Sequence, residues 1–518
     1  MLLAPINQAY REPISLNLAM RKFNLKVVLQ LLGVLLVFNG SLMLFAVLVS
    51  ILTNDGAIFP MALASFLVLV VGGMLMLLTR SEEAPQIQKR EGYFIVVFGW
   101  IAMTLTGMLP FLFTKTLPSV SAAFFETLSG YTTTGASVIQ DLEILPKSIL
   151  FWRSMTHWIG GMGIIVLAIA ILPLLGIGGM QLFSAEAPGP NSDKLHPRIT
   201  DTAKRLWLIY LGYTLAETLL LHLAGMSLFD AINHAMSTLS TGGFSTKNSS
   251  VAYWNDAPLI QYIIIFFMII AGTNFVLSYF AFTGKVQAIL KDQEFKTYLG
   301  FIIGFTLVAA TVILISGHVF GPGFEHPQVF GKLESIFRHS FFQVVAIITT
   351  TGFVTANLAT ILPILTLILF GLMFLGGSAG STAGGVKIVR HLLMIKSGFL
   401  EFKRAFHPNA IIQTRYNNKI VNDAIVYNVL GFFILYMLSF IIGSLGFALL
   451  GLDFESSLGV AASTLGNVGP ALGSFGPDST YAAMPTLGLW WSSFLMLLGR
   501  LELFTVLILF TPFYWKRR

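Results

Sequence analysis

Ten stretches of twenty or more mostly apolar residues recur along the chain. They lie at about residues 27 to 52, 59 to 79, 92 to 113, 149 to 174, 203 to 225, 257 to 283, 297 to 317, 361 to 395, 424 to 450 and 486 to 513. A bilayer core of about 30 Å is crossed by a helix of about 20 such residues, so each stretch is a candidate crossing. Of the 518 residues only 11% are charged, and the mean hydropathy is +0.79. Soluble domains carry about 25% charged residues, so a water-soluble globular fold is excluded. The first stretch is too long for a signal-peptide core and lacks a small-residue cleavage pattern, which makes it a retained helix. The eighth stretch is interrupted. The absence of Cys excludes disulfides, thiolate metal sites and thiol nucleophiles.

With ten crossings both termini lie on one side, and the bases divide unevenly. Twenty-four of the 31 Lys and Arg residues fall on the terminal side, six on the other (Lys115, Lys147, Arg153, Lys247, Lys332, Arg338), and Arg500 falls inside a span. The positive-inside rule makes the terminal side cytoplasmic. The net charge of +7 is thereby a matter of topology, and a nucleic-acid partner is excluded. Eleven acids, Glu126 among them, are assigned to the outer side, where a negative vestibule would concentrate cations.

After two helices, each later pair of spans encloses a short half-apolar segment ending in a Thr, Ser or Asn and Gly cluster. The clusters are Thr132-Thr133-Thr134-Gly135, Ser240-Thr241-Gly242-Gly243-Phe244, Thr349-Thr350-Thr351-Gly352-Phe353 and Gly466-Asn467-Val468-Gly469. Counted from Gly135, Gly242, Gly352 and Gly469 the intervals are 107, 110 and 117 residues, the mark of one unit used four times. A dozen helical residues span about 18 Å, enough to enter a bilayer halfway and return. Non-helical backbone at that depth must be buried or line a watery cavity, so the four tails are expected to meet on one. Gly there lets carbonyl oxygens aim inward, where they replace the hydration shell of a monovalent cation. A single such cluster would be read as a Gly helix cap; four at matched positions are not. Nine residues before the first three glycines stand Glu126, Asn233 and Gln343, expected to hold the loops by hydrogen bonds.

These clusters, with Trp152 to Gly163, Ala271-Gly272-Thr273-Asn274-Phe275, Gly376 to Lys387 and Gly499-Arg500-Leu501-Glu502 in the following helices, resemble the Trk-type potassium uptake subunits of the Trk/Ktr/HKT superfamily. The likeness covers nearly the whole chain and is weakest over residues 1 to 25. It implies an all-α integral membrane protein with two N-terminal transmembrane helices and four helix–pore-loop–helix repeats around one pseudo-fourfold pore. The divisions are 1–91, then repeats at 92–202, 203–296, 297–423 and 424–518. It implies a K⁺ filter at Thr133, Thr134, Gly135, Thr241, Gly242, Thr350, Thr351, Gly352, Asn467, Val468 and Gly469, with K⁺ as the substrate ion and no covalent cofactor. Some plant relatives with Ser in the first filter prefer Na⁺, whereas this chain has Gly135. The fourth filter departs most, with Asn467 and Val468 where the others have Thr.

Gly376, Gly377, Gly380, Ser381, Thr382, Gly384 and Gly385 interrupt the eighth span. A phosphate loop is excluded, because Val386 precedes Lys387 and no Ser or Thr follows it. Two readings remain: a glycine patch for helix packing and, by the resemblance, an intramembrane gate beneath the filter. Arg500, costly at mid-span, needs a cavity or a partner; it faces the pore or pairs with Glu217. The resemblance adds a homodimer, a cytosolic nucleotide-binding regulatory subunit and a place in the bacterial inner membrane. The basic stretch from Lys387 to Asp423 suits an acidic protein or anionic membrane lipid. The opposing class is a Na⁺- or H⁺-coupled alternating-access transporter of a small solute, which broken helices also suit. An enzyme lacks support in any paired carboxylates or nucleophile constellation.

Overall fold

The computed structural model describes residues 23–80, 88–166, 195–317, 331–410 and 412–515. Arg11, Arg21, Lys22, Lys194, Glu325, the three C-terminal bases and the end of the fourth apolar stretch lie outside them. In chain order the principal helices are α1 (Leu25–Thr53), α2 (Ile58–Leu78), α3 (Lys89–Gly107), α4 (Val120–Tyr131), α5 (Lys147–Val166), α6 (Leu195–Leu223), α7 (Leu228–Leu239), α8 (Pro258–Ala271), α9 (Phe275–Phe282), α10 (Gln293–Ser316), α11 (Gly331–Ile348), α12 (Pro363–Leu372), α13 (Ile388–Phe406), α14 (Asp423–Leu449), α15 (Phe454–Gly466), α16 (Thr486–Arg500) and α17 (Phe504–Leu507). Among the described residues, six helices are long and apolar enough to cross a bilayer, and two bent pairs bring the number to eight. Their outer faces carry exposed Leu52, Leu77, Leu223, Ile315 and Leu449. The chain is a multi-pass membrane protein, since such a surface is stable only against lipid.

The short helices invert that pattern. From Ala123 to Tyr131 every residue of α4 is buried, including Glu126, Thr127 and Ser129, and α7 is buried from Ala231 to Leu239 except Ile232. Side-chain caps fix the starts of α7 and α15: Ser227 Oγ accepts from Asp230 N at 3.1 Å and Asp453 Oδ2 from Ser456 N at 3.1 Å. The third short helix is longer than its sequence signal, 18 residues instead of the stretch near Phe341 to Ile348. Glu334 and Arg338, one turn apart, pair at 2.9 Å and extend it.

Two stretches expected as continuous helices are broken. The sixth bends by 104° between α8 and α9, and the tenth by 111° between α16 and α17. At the second break Glu502 and Leu503 both take left-handed backbone, φ 57° and 46°. The eighth stretch has only ten helical residues in α12 before residues 373 to 387 leave the helix. A β-hairpin pairs Arg415 with Ile420 and Tyr416 with Lys419, an addition to the all-α expectation. Asn417 and Asn418, both left-handed, form its turn.

Two of the six bases counted on the side opposite the termini, Arg153 and Arg338, are fully buried and paired, with Glu126 and Glu334.

Helices α1 and α2 meet through glycine. A Cβ on Gly72 would lie 2.8 Å from Val37 N and 2.9 Å from Gly33 O. Overpacking of this kind costs about 1–3 kcal/mol. Gly72→Leu is therefore expected to lower the melting temperature of the detergent-purified protein; an unchanged melting point would contradict the close crossing.

Candidate functional site

Each short helix ends in the same reversal. Thr133 N donates to Gly130 O at 3.0 Å and Thr134 N to Ser129 O at 2.9 Å. The pattern repeats with Thr241 to Thr238 (2.9 Å) and Gly242 to Ser237 (2.8 Å), and with Thr350 to Ile347 (2.9 Å) and Thr351 to Ala346 (2.8 Å). It returns with Asn467 to Thr464 (3.4 Å) and Val468 to Ser463 (2.9 Å). These paired bonds are a Schellman cap, whose left-handed position is ordinarily Gly. Here it is held by Thr133, Thr241, Thr350 and Asn467, at φ of 50°, 55°, 55° and 55°. A β-branched residue in that region is strained, by about 1–3 kcal/mol.

Two residues on, Gly135, Gly243, Gly352 and Gly469 again have positive φ. A Cβ at Gly135 would lie 2.0 Å from Gly242 O, at Gly243 2.0 Å from Thr351 O, at Gly352 2.0 Å from Val468 O, and at Gly469 2.5 Å from Thr134 O. Each loop thus lies against the next, and the fourth closes on the first. The ring corrects the sequence register: Gly243 matches Gly135, whereas Gly242 matches Thr134. The spacings become 108, 109 and 117 residues.

Between the strained residue and the glycine, Thr134, Gly242, Thr351 and Val468 are buried. Among the described residues, their carbonyl oxygens and those of Thr133, Thr241, Thr350 and Asn467 accept no hydrogen bond. Buried backbone acceptors are nearly always paired, so two tiers of four unpaired carbonyls are exceptional. The fourth glycine differs, because Gly469 O accepts from Ser463 Oγ at 2.8 Å and Tyr481 OH at 3.0 Å. Asn467 also binds outward, donating to Thr134 Oγ1 at 3.0 Å and Met496 O at 2.9 Å.

Behind the ring, Glu126 accepts from Ser137 Oγ, Val138 N and Arg153 Nε, each at 2.9 Å. Arg153 also donates to Ser245 O at 3.2 Å and lies over the Phe244 ring at 4.0 Å, joining the first loop to the second. The sequence reading missed Arg153, although an Arg inside an apolar stretch was itself the signal. Asn233 does not hold its loop, since its Nδ2 donates to Phe229 O of its own helix at 2.7 Å. In the corrected register His234 matches Glu126, and its Nε2 meets Ser245 Oγ at 3.0 Å, as Glu126 meets Ser137. Gln343 has no partner for its buried Nε2 and borders a cavity of about 30 Å³. The third loop is held instead by His339 and Thr355, 3.0 Å apart.

Residues 373 to 387 cross against the end of the second short helix and against the third and fourth loops. Gly384 N donates to Thr350 Oγ1 at 2.7 Å, and Thr382 Oγ1 reaches Leu239 O at 3.0 Å and Ala271 O at 3.2 Å. The broken α8–α9 pair shares its free backbone groups with this segment: Ser378 N donates to Gly272 O at 2.8 Å and Phe275 N to Gly380 O at 3.2 Å. The base is closed by Gly376 N to Val386 O at 2.9 Å and Ile388 N to Gly377 O at 3.1 Å. Ser381 Oγ folds back to Ser378 O at 2.6 Å, and Gly385 turns the chain at φ 64°. Glu294 of α10 accepts from Ala379 N at 2.7 Å and Val389 N at 3.2 Å. The reading as a helix-packing glycine patch is set aside, because the segment is not helical.

Arg500 is 2% exposed and donates to Thr382 O at 2.8 Å and Gly160 O at 3.5 Å. It makes no ion pair among the described residues; Glu502 pairs with Arg390 at 2.5 Å instead, and Glu217 stays without a hydrogen bond.

Removing one member of a buried ion pair costs about 3–5 kcal/mol. Arg153→Ala, which strands Glu126, is expected to reduce folded yield and melting temperature sharply, whereas Arg153→Ala with Glu126→Gln recovers part of the loss. Equal stability of the single and double variants would refute the pairing.

A family model described as the cation transport protein TrkH matches residues 58–517. The Trk system potassium uptake protein TrkH of Escherichia coli K12 is 40% identical over 494 residues, covering 95% of this chain and 99% of that protein. TrkG of the same strain is 34% identical over 501 residues, with 96% and 100% covered. The crystal structure of the potassium transporter TrkH from Vibrio parahaemolyticus superposes with a TM-score of 0.84 at 37% identity, covering 95% of this chain and all of that one. Ring, loop and likeness over nearly the full length agree, and the chain belongs to the TrkH family of cation transport proteins.

Proposed function

We propose that the protein takes up K⁺ through the ring of four loops, which acts as a selectivity filter of backbone carbonyls. The observation that carries this reading is the two tiers of buried, unpaired carbonyl oxygens. Neutral oxygens in that number suit a weakly hydrated monovalent cation, whereas Mg²⁺ and Ca²⁺ call for carboxylates. The carboxylate behind the first loop, Glu126, is committed to Arg153, Ser137 and Val138. The relatives are named as potassium uptake proteins, which agrees with K⁺ as the substrate ion.

The arrangement is read as α1 and α2 followed by four pore-forming units about one axis. Thr133, Thr134, Gly135, Thr241, Gly242, Gly243, Thr350, Thr351, Gly352, Asn467 and Val468 face the ion path, and Gly469 closes the ring. The segment containing Gly376 to Gly385 is the gate. It lies where an ion leaving the ring must pass, and Arg500 sets a positive charge there without a carboxylate to offset it. The uneven division of Lys and Arg supports cytoplasmic termini in a bacterial inner membrane. Helix α13 exposes Phe399, Phe402 and Phe406 beside Lys403 and Arg404, a face suited to a second copy of the chain or to a nucleotide-binding regulatory subunit that moves the gate.

Purified protein in liposomes is expected to pass ⁸⁶Rb⁺ down its gradient without a coupled solute; a strict requirement for such a solute would favour alternating access. Arg500→Ala should raise that flux about tenfold, equivalent to ~1.4 kcal/mol off the barrier. A flux that stays equal or falls in well-folded variant protein would remove Arg500 from the path. Gly135→Ser, whose side chain must displace Gly242 O, should lower the preference for K⁺ over Na⁺, and unchanged selectivity would count against carbonyl coordination.

A further inference from the structure

At the tier formed by Thr134, Gly242, Thr351 and Val468, three loops carry a side chain and the second carries none. Backbone conformation does not require this glycine: unlike Gly243, Gly242 is not among the positive-φ residues, and its counterparts in the ring are Thr and Val. What excludes a side chain is a neighbour. A Cβ on Gly242 would lie 2.3 Å from His157 Nδ1, 2.5 Å from its Cγ and 2.6 Å from its Cε1. The imidazole, contributed by α5 of the first unit, therefore stands in the space where the other loops keep a side chain of their own.

Its contacts bracket Gly242 from both sides. His157 Nδ1 lies 3.4 Å from Ser237 Oγ, on the residue whose carbonyl caps Gly242 N. The same nitrogen accepts from Phe244 N at 3.4 Å, and the ring stacks on Phe244 at 3.9 Å and 13°. His157 is fully buried. Without it, a glycine with a void at its back would be free to rotate its peptide, and Gly242 O would leave the plane of its three partners.

Resting on the filter reading above, we propose that His157 is a positioning residue that sets ion selectivity, serving as the missing side chain of the second loop and holding Gly242 O level with the carbonyls of Thr134, Thr351 and Val468. The claim concerns a side chain lent from one unit to its neighbour, so exchange tests it. His157→Ala removes the support, Gly242→Thr restores the side chain of the other loops but meets the imidazole, and the double variant removes the obstacle.

The measurement is the ratio of ⁸⁶Rb⁺ to ²²Na⁺ uptake by full-length protein in liposomes, with size-exclusion profile and melting temperature as controls for folding. His157→Ala is expected to lower the ratio at least fivefold while Rb⁺ still enters. Gly242→Thr alone is expected to lose Rb⁺ flux or fail to fold, and the double variant to regain more than half of the wild-type ratio. That non-additivity marks two groups sharing one space. An unchanged ratio in folded His157→Ala overturns the proposal, as does a double variant no better than Gly242→Thr. Should neither Thr variant yield protein, the ratio in His157→Ala decides. Wild-type protein that passes no Rb⁺ would overturn the filter reading itself, whereas a selective wild type with a failed exchange overturns only the role of His157.

Discussion

Everything in the interior follows from one backbone event, the left-handed residue that ends each short helix. A helix ending in the middle of a bilayer leaves carbonyl groups that water does not reach, and the usual remedy is a Schellman cap closed by Gly. Here the cap is closed with Thr or Asn, and a true Gly follows two positions later. Alternating the sign of φ in this way sends successive carbonyls toward one side of the chain instead of to opposite sides, as a strand would. Four copies so arranged meet in one ring of close contacts, and in the filter proposed above their unpaired oxygens have a use.

Such backbone persists only where its surroundings over-determine it. The surroundings here are mostly other parts of the same ring. Each glycine lies against a carbonyl of the next loop with no room for a methyl group, so a loop cannot relax alone. The Arg153–Glu126 pair and the Phe244 ring tie the first loop to the second, and Asn467 ties the fourth to the first. The four loops are equivalent in hydrogen-bond register but not in support: a carboxylate holds the first, His234 the second, His339 the third, and Ser463 with Tyr481 the fourth. A chain that repeats a unit is free to vary the scaffold of each copy as long as the backbone geometry is kept.

That freedom also sets what the sequence reveals. Among the described residues the apolar stretches other than the eighth coincide with helices over most of their length, because lipid burial demands composition more than any particular residue. The glycine clusters mark the loops for the same reason, since little else tolerates that backbone. The register of the second loop escaped because Gly242 and Gly243 are adjacent and identical, and only the φ values separate them. From that one-residue shift came the choice of Asn233 over His234. Counting charges per side places Arg153 opposite the termini without a partner, although its position within an apolar stretch argues for a buried one. The two sharp breaks at Gly272 to Asn274 and at Leu501 to Leu503 had no local signature strong enough to read. They depend on hydrogen-bond partners brought from more than a hundred residues away.

The break after α8 explains how the glycine-rich segment is held against the ring. A helix interrupted in lipid must find partners for its freed N–H and C=O groups. The break after α8 finds them on the segment itself, through Gly272 O and Phe275 N, and the segment in turn satisfies Ser378 N and Gly380 O. Neither side is complete alone, so displacing the segment exposes unpaired groups on both at once. That penalty favours the arrangement observed. Arg500 adds a contact of a different kind, since among the described residues its guanidinium donates to the carbonyls of Thr382 and Gly160 and to no carboxylate. A carboxylate partner would have neutralised its charge and locked the segment in place. Backbone oxygens hold it more weakly and leave the charge uncancelled, so under the gate proposed above a cation arriving in the ring would meet both a physical obstruction and an electrostatic one.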